Sequence, residues 1–111
     1  MWIFKNDSMV SLVEDFDDSN YLVARARHKG DLERIFPGKT VHDNMGGDYK
    51  YRCWILKEDA AQFIYDSILD IDYHNFKNSI NKSDKERSYA YMNVWRVMYN
   101  YQVDEEKYGY K

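Results

Sequence analysis

A chain of 111 residues and 13.4 kDa is long enough for one domain with its own core. Its composition is 44% hydrophobic and 32% charged, with one Pro and five Gly, which excludes a disordered tail, a linker and a collagen-like chain. One cysteine excludes an intramolecular disulfide framework and a four-cysteine zinc site, and a net charge of −3 gives no global attraction to nucleic acid.

The first half reads as strands. Residues 1–5 (MWIFK) form a short apolar run stopped by Asn6-Asp7-Ser8, which is turn chemistry. Residues 9–16 carry β-branched and large side chains and end at Asp17-Asp18-Ser19-Asn20, a second turn. Residues 21–27 (YLVARAR) alternate, with Leu22, Ala24 and Ala26 on one face and Val23, Arg25 and Arg27 on the other. Strands joined by such short turns predict an antiparallel meander. Gly30-Asp31 opens a short helix over 31–36, stopped by Pro37-Gly38. Residues 39–43 read as a short edge strand, and 44–48, with Gly46-Gly47, as a loop. Residues 49–56 (YKYRCWIL) are the clearest strand: Tyr49, Tyr51, Cys53 and Ile55 share one face, and Lys50, Arg52, Trp54 and Leu56 the other.

From 57 to 71 the period changes. Ala60, Ala61, Ile64, Ile68 and Ile71 form a helical stripe, with Asp59, Asp66 and Asp70 opposite. Residues 72–80 (DYHNFKNSI) form a connection or a short helix. Ser83 and Glu86 have capping-box spacing and start a long helix near Asp84, with Tyr91, Val94, Trp95 and Met98 as its core stripe. The expected architecture is α+β: an antiparallel sheet of four to five strands with one short and two longer helices packed on one face. A single domain is expected over 1–103, followed by a polar, fraying tail over 104–111.

Several stretches carry a resemblance. Met1-Trp2, Arg25-Ala26-Arg27 with Gly30-Asp31-Leu32-Glu33, and Asp48-Tyr49 with Arg52 belong to it. So do Ile71-Asp72-Tyr73-His74-Asn75-Phe76-Lys77, and Arg87 with Tyr91 and Val94-Trp95. Together they resemble a family of small bacterial proteins of about this length with no assigned function. Similar proteins are carried by phages and prophages. The resemblance covers nearly the whole chain except the tail. It implies no activity, ligand or cofactor.

Two kinds of surface carry candidate chemistry. Arg25 and Arg27 share a strand face, and Arg52 shares one with Trp54; if the faces match, three guanidiniums converge where a phosphate or carboxylate binds as a bidentate partner. Residues 21–60 are locally basic, with eight bases against six acids. The second kind is acidic and aromatic. Asp17 and Asp18, and Asp66 and Asp70, form acid rows of the sort that occupy a partner's basic channel. In the odd segment between two helices, Asp72, Tyr73, Asn75 and Lys77 cap the helix ends and tie them to the sheet, or the segment is a recognition loop that offers Tyr73 and Phe76 to a partner. Asp48-x-Lys50 is formally the acid-x-Lys element of metal-dependent nucleases, a three-residue pattern that arises by chance in a chain this charged. The histidines His28, His42 and His74 show no metal-ligand spacing, and no metal or cofactor is expected.

Eleven Tyr, three Trp and five Phe exceed what one small core holds, and exposed Tyr is favoured in contact surfaces. The leading expectation is therefore a non-catalytic protein-binding module. The phage resemblance suggests an inhibitor of a host defence or nucleic-acid-processing enzyme. The alternative is a small anion- or nucleotide-binding sensor that uses Arg25, Arg27 and Arg52 with Trp54. No apolar run approaches the roughly 18 residues of a membrane span, and no basic-then-apolar leader opens the chain, so a cytoplasmic protein without membrane contact is expected.

Overall fold

Period-2 alternation over the first half produces a four-stranded antiparallel meander, seen in a computed structural model that describes residues 1–108. The strands β1 (Trp2–Lys5), β2 (Ser8–Glu14), β3 (Tyr21–Ala26) and β4 (Tyr51–Leu56) lie side by side in chain order. The register pairs Ser11 with Trp2 on one side and with Arg25 on the other, and pairs Arg25 with Arg52. This places one row of side chains straight across the sheet. The expected edge strand at 39–43 reduces to a single bridge between His42 and Arg52, closed by reciprocal backbone hydrogen bonds of 2.8 and 2.9 Å.

The two sheet faces differ. Val10, Leu12, Ala24, Ala26, Cys53 and Ile55 form the buried face, and the helices α1 (Asp31–Ile35) and α2 (Lys57–Leu69) supply the opposing layer. Ala24 and Ala26 are fully buried, and their small side chains let α1 lie close to β3. Leu32, Ile35 and Phe36 fill the space above them, and Phe36 meets Phe63 of α2 edge-on at 5.8 Å between ring centroids. The buried Asp31 ties α1 to β2: its carboxylate accepts from the Met9 amide at 2.9 Å and from Arg34 at 2.6 Å.

On α2 the expected stripe is only half right. Ala60 is buried and Ile64 packs on the core, but Phe63 joins them, while Ala61, Ile68 and Ile71 are exposed. The helix is rotated so that its large aromatic ring, rather than a second isoleucine, fills the gap beside Phe36.

The chain divides into two compact units, Met1–Asp72 and the segment from Tyr73 onward. In the second, Asn75 caps a single-turn helix, α3 (Phe76–Ser79), by accepting from the Asn78 amide at 3.0 Å. The long helix α4 spans Lys85–Tyr108. Its cap is Asp84, which accepts from the Arg87 amide at 3.1 Å, one residue after the Ser83 that the capping-box spacing favours; Ser83 instead bonds Asn81. The helix covers residues 104–108, where a fraying tail was expected; residues 109–111 lie outside the described residues. No helix among the described residues is long and apolar enough to cross a membrane.

Candidate functional site

The open face of the sheet carries the most unusual chemistry. Arg25 on β3 and Arg52 on β4 are direct cross-strand partners, so their side chains rise from the same face as neighbours. Arg27, two residues on from Arg25, shares that face. The alternation in the sequence thus brings the three arginines together, and Trp54 lies two residues along β4 from Arg52.

Tyr49 organises the cluster. It precedes β4, and its buried ring lies against both the Arg25 and the Arg27 guanidinium, 4.6 and 4.1 Å from its centroid. Alternation predicted Tyr49 on the opposite face, with Tyr51, Cys53 and Ile55. The difference has a backbone cause: the loop before it turns through positive φ at Asn44, Gly46 and Gly47, so the strand phase does not extend back to Tyr49. Two guanidiniums against one ring gain cation–π attraction and shed water on that side. Arg27 also donates to the Asp48 carbonyl at 2.6 Å and faces the Asp48 carboxylate at 3.9 Å. The acid of the Asp48-x-Lys50 pattern thus stands beside an arginine.

Arg25 donates to the buried Ser11 hydroxyl at 2.9 Å. Among the described residues Arg52 has no side-chain hydrogen-bond partner, and no carboxylate lies within salt-bridge distance of either Arg25 or Arg52. The Nε groups of both are buried without an acceptor. Gly47 passes directly over Arg52: a Cβ there would stand 3.2 Å from its Nη2. Two like charges held side by side in a sheet repel. Unpaired buried donors add a desolvation cost of about 1–3 kcal/mol each.

Trp54 is half exposed. Its indole N–H donates to the Asp15 carboxylate at 3.0 Å, and the His42 ring meets its edge at 5.6 Å. Those contacts fix the indole plane at the border of the arginine cluster.

The acidic candidates lie elsewhere and apart. Asp17 and Asp18 are exposed in the β2–β3 turn, where the Asp18 carboxylate accepts from the Asn20 amide at 3.0 Å. Asp66 and Asp70 are exposed near the end of α2, and Asp66 accepts from Gln62. Between Asp15 and Asp17 sits Phe16, which is 99% exposed. Sequence reasoning absorbed Phe16 into the preceding strand; the signal available was an aromatic residue flanked by turn-forming acids. Tyr73 and Phe76 pack together at 6.0 Å, and Phe76 stacks on Tyr91 at 5.8 Å with an interplanar angle of 14°, so both rings are engaged within the second unit. Cys53 is fully buried, and loss of water pushes its thiol up to about 11 despite the opposing pull of Lys39. Among the described residues no group of three or more His, Cys, Asp or Glu is placed to hold a metal ion.

Comparison with protein-family models, with curated protein sequences and with solved structures returns no match. The functional reading therefore rests on the geometry of this chain.

Proposed function

We propose that the protein is a non-catalytic binding domain whose open sheet face takes a small anion, with a nucleotide as the best-fitting class. One observation carries the reading: Arg25 and Arg52 are held side by side, and among the described residues no carboxylate neutralises them. A phosphate group offers several acceptor oxygens to planar guanidinium forks and removes the repulsion between them. The base of a nucleotide then lies toward Trp54, whose plane is fixed by Asp15 and His42. The test is thermal unfolding with a panel of nucleoside mono- and triphosphates, inorganic phosphate and citrate. A ligand at a hundred times its Kd stabilises by about 2.7 kcal/mol, a shift of several degrees. Arg52→Ala is expected to abolish the shift and leave the circular dichroism spectrum unchanged. A full-sized shift in Arg52→Ala, or none with any anion at millimolar concentration, overturns the reading.

A second reading, a protein partner at the β2–β3 turn, is favoured by Phe16. A fully exposed aromatic ring at the tip of a hydrogen-bonded turn, followed by Asp17 and Asp18, suits a partner whose cleft is apolar at its floor and basic at its rim. The triple variant Phe16→Ala, Asp17→Lys, Asp18→Lys should lose any such partner that the native chain retains.

A further inference from the structure

Over its middle turns, from Tyr91 to Tyr101, the helix α4 carries a broad apolar side. Asn93, Arg96, Asn100, Asp104 and Lys107 recur at intervals of three and four and form a polar stripe, while Gln102, Glu105 and Glu106 make the last two turns polar on the other side as well. Around the rest lie Met92, Val94, Trp95, Met98, Tyr99 and Tyr101. Within the first turns Arg87 and Tyr91 are buried. Beyond Tyr91 none of the described residues of α4 is buried: Trp95 is 50%, Met98 55% and Tyr101 59% exposed. An amphipathic helix normally turns such an apolar side toward another packed surface.

We propose that this face pairs with the same face of a second copy of the chain, with the two α4 helices antiparallel and crossing near Trp95. Area is the first argument. With about 150–250 Å² for a full aromatic side chain, the six apolar residues expose about 600 Å² per chain. Two chains then bury about 1,200 Å² of apolar surface before any polar rim is added, which reaches the range of stable specific interfaces. Charge is the second argument, and it sets the direction. Asp104, Glu105 and Glu106 are exposed near the C-terminal end of α4, where carboxylates oppose the helix dipole. Lys82 and Lys85 are exposed at its N-terminal end. Lys85 and Glu106 lie on the same side of Trp95 around the helix, and their midpoint falls between Trp95 and Arg96, in the apolar stretch. An antiparallel crossing there sets the lysines of each chain against the acids of the other, twice, as a two-fold interface requires. A parallel pair would instead stack acids on acids.

The experiment is sedimentation equilibrium on the full chain, with circular dichroism as the control for folding. The native chain is expected at twice its 13.4 kDa mass at micromolar concentration. The double variant Met98→Glu, Tyr101→Glu changes two side chains that are already exposed, and should raise the dimer Kd by at least about tenfold, 1.4 kcal/mol. Lys85→Glu and Glu106→Lys should each weaken the dimer, and their combination should restore it. A chain that stays monomeric at 100-fold higher concentration overturns the proposal, and so does a dimer indifferent to Met98→Glu, Tyr101→Glu. A dimer that loses stability with each charge change but is not rescued by their combination overturns the antiparallel arrangement. None of these outcomes depends on whether an anion binds the arginine face.

Discussion

Cys53 shows how position within a strand decides what a residue does. Its thiol is fully buried beneath α1 and α2, and burial raises its pKa from 9.0 to about 11. The folded protein therefore holds a proton there that the unfolded chain gives up from about pH 9. This thiol's contribution is constant below pH 9 and falls as pH rises from 9 toward 11. Alkali unfolding followed by fluorescence should show that loss, and Cys53→Ser or Cys53→Ala should reduce its slope. At pH 8 the native thiol should resist a thiol reagent that labels it at once in denaturant; rapid native labelling would contradict the buried placement. Gly30 is a second case. Its φ of +93° lies in the left-handed region, and a Cβ there would stand 2.6 Å from the Arg34 Nη1. Arg34 cannot simply swing away, because it holds the Asp7 carbonyl at 2.7 Å and the Asp31 carboxylate at 2.6 Å. Gly30→Ala should cost about 2–3 kcal/mol, summing the backbone penalty and a weakened charged hydrogen bond. A melting temperature unchanged within a degree would refute this.

At the scale of elements, alternation made β3 and β4 legible, and β-branched residues ending at a turn made β2 legible. The same alternation put Arg25 with Arg27 and Arg52 with Trp54. Strand order, which no single strand encodes, was needed to show that Arg25 and Arg52 are neighbours. What misled was phase at element ends. Tyr49 looks like one more residue of β4, yet the loop's positive φ values detach it and turn its ring to the arginine face. On α2 a stripe of isoleucines and alanines was readable, but Phe63 takes the core position because Phe36 offers an edge-on partner, a tertiary contact invisible locally. The α4 cap slipped from Ser83 to Asp84 because both residue types cap, and only the structure shows which one reaches an amide. Tyr49 provides the test of the arginine face as an element. Tyr49→Phe keeps the ring and should be nearly neutral. Tyr49→Leu keeps apolar bulk but removes the π faces from two guanidiniums, and should cost about 1–3 kcal/mol. It should also weaken anion binding, because Arg25 loses the surface that aims it. Equal melting temperatures for the two variants would show that the ring serves only as bulk.

At the scale of the molecule, the two units differ in how much they bury. The sheet unit has a continuous core from Val10 through Ile55 to Ala60, closed by α1 and α2. In the second unit the buried apolar residues among those described are Ile80 and Tyr91, supplemented by the Phe76–Tyr91 and Trp95–Tyr99 stacks. A helix of 24 residues that exposes most of its apolar surface has little to hold its later turns against fraying. If a second copy supplies the missing cover, the stability of those turns depends on protein concentration, whereas that of the β2–β3–β4 ladder does not. Hydrogen exchange separates the two. Amides of β2 and β3 should exchange with the slowest rates in the chain at every concentration, since their opening exposes the whole core. Amides from Trp95 to Val103 should exchange slowly at high concentration and faster on 100-fold dilution, and should be fast at all concentrations in Met98→Glu, Tyr101→Glu. Protection of α4 that is unaffected by dilution and by the variant would mean that the helix is stable without a partner, and the exposed rings would then need another explanation.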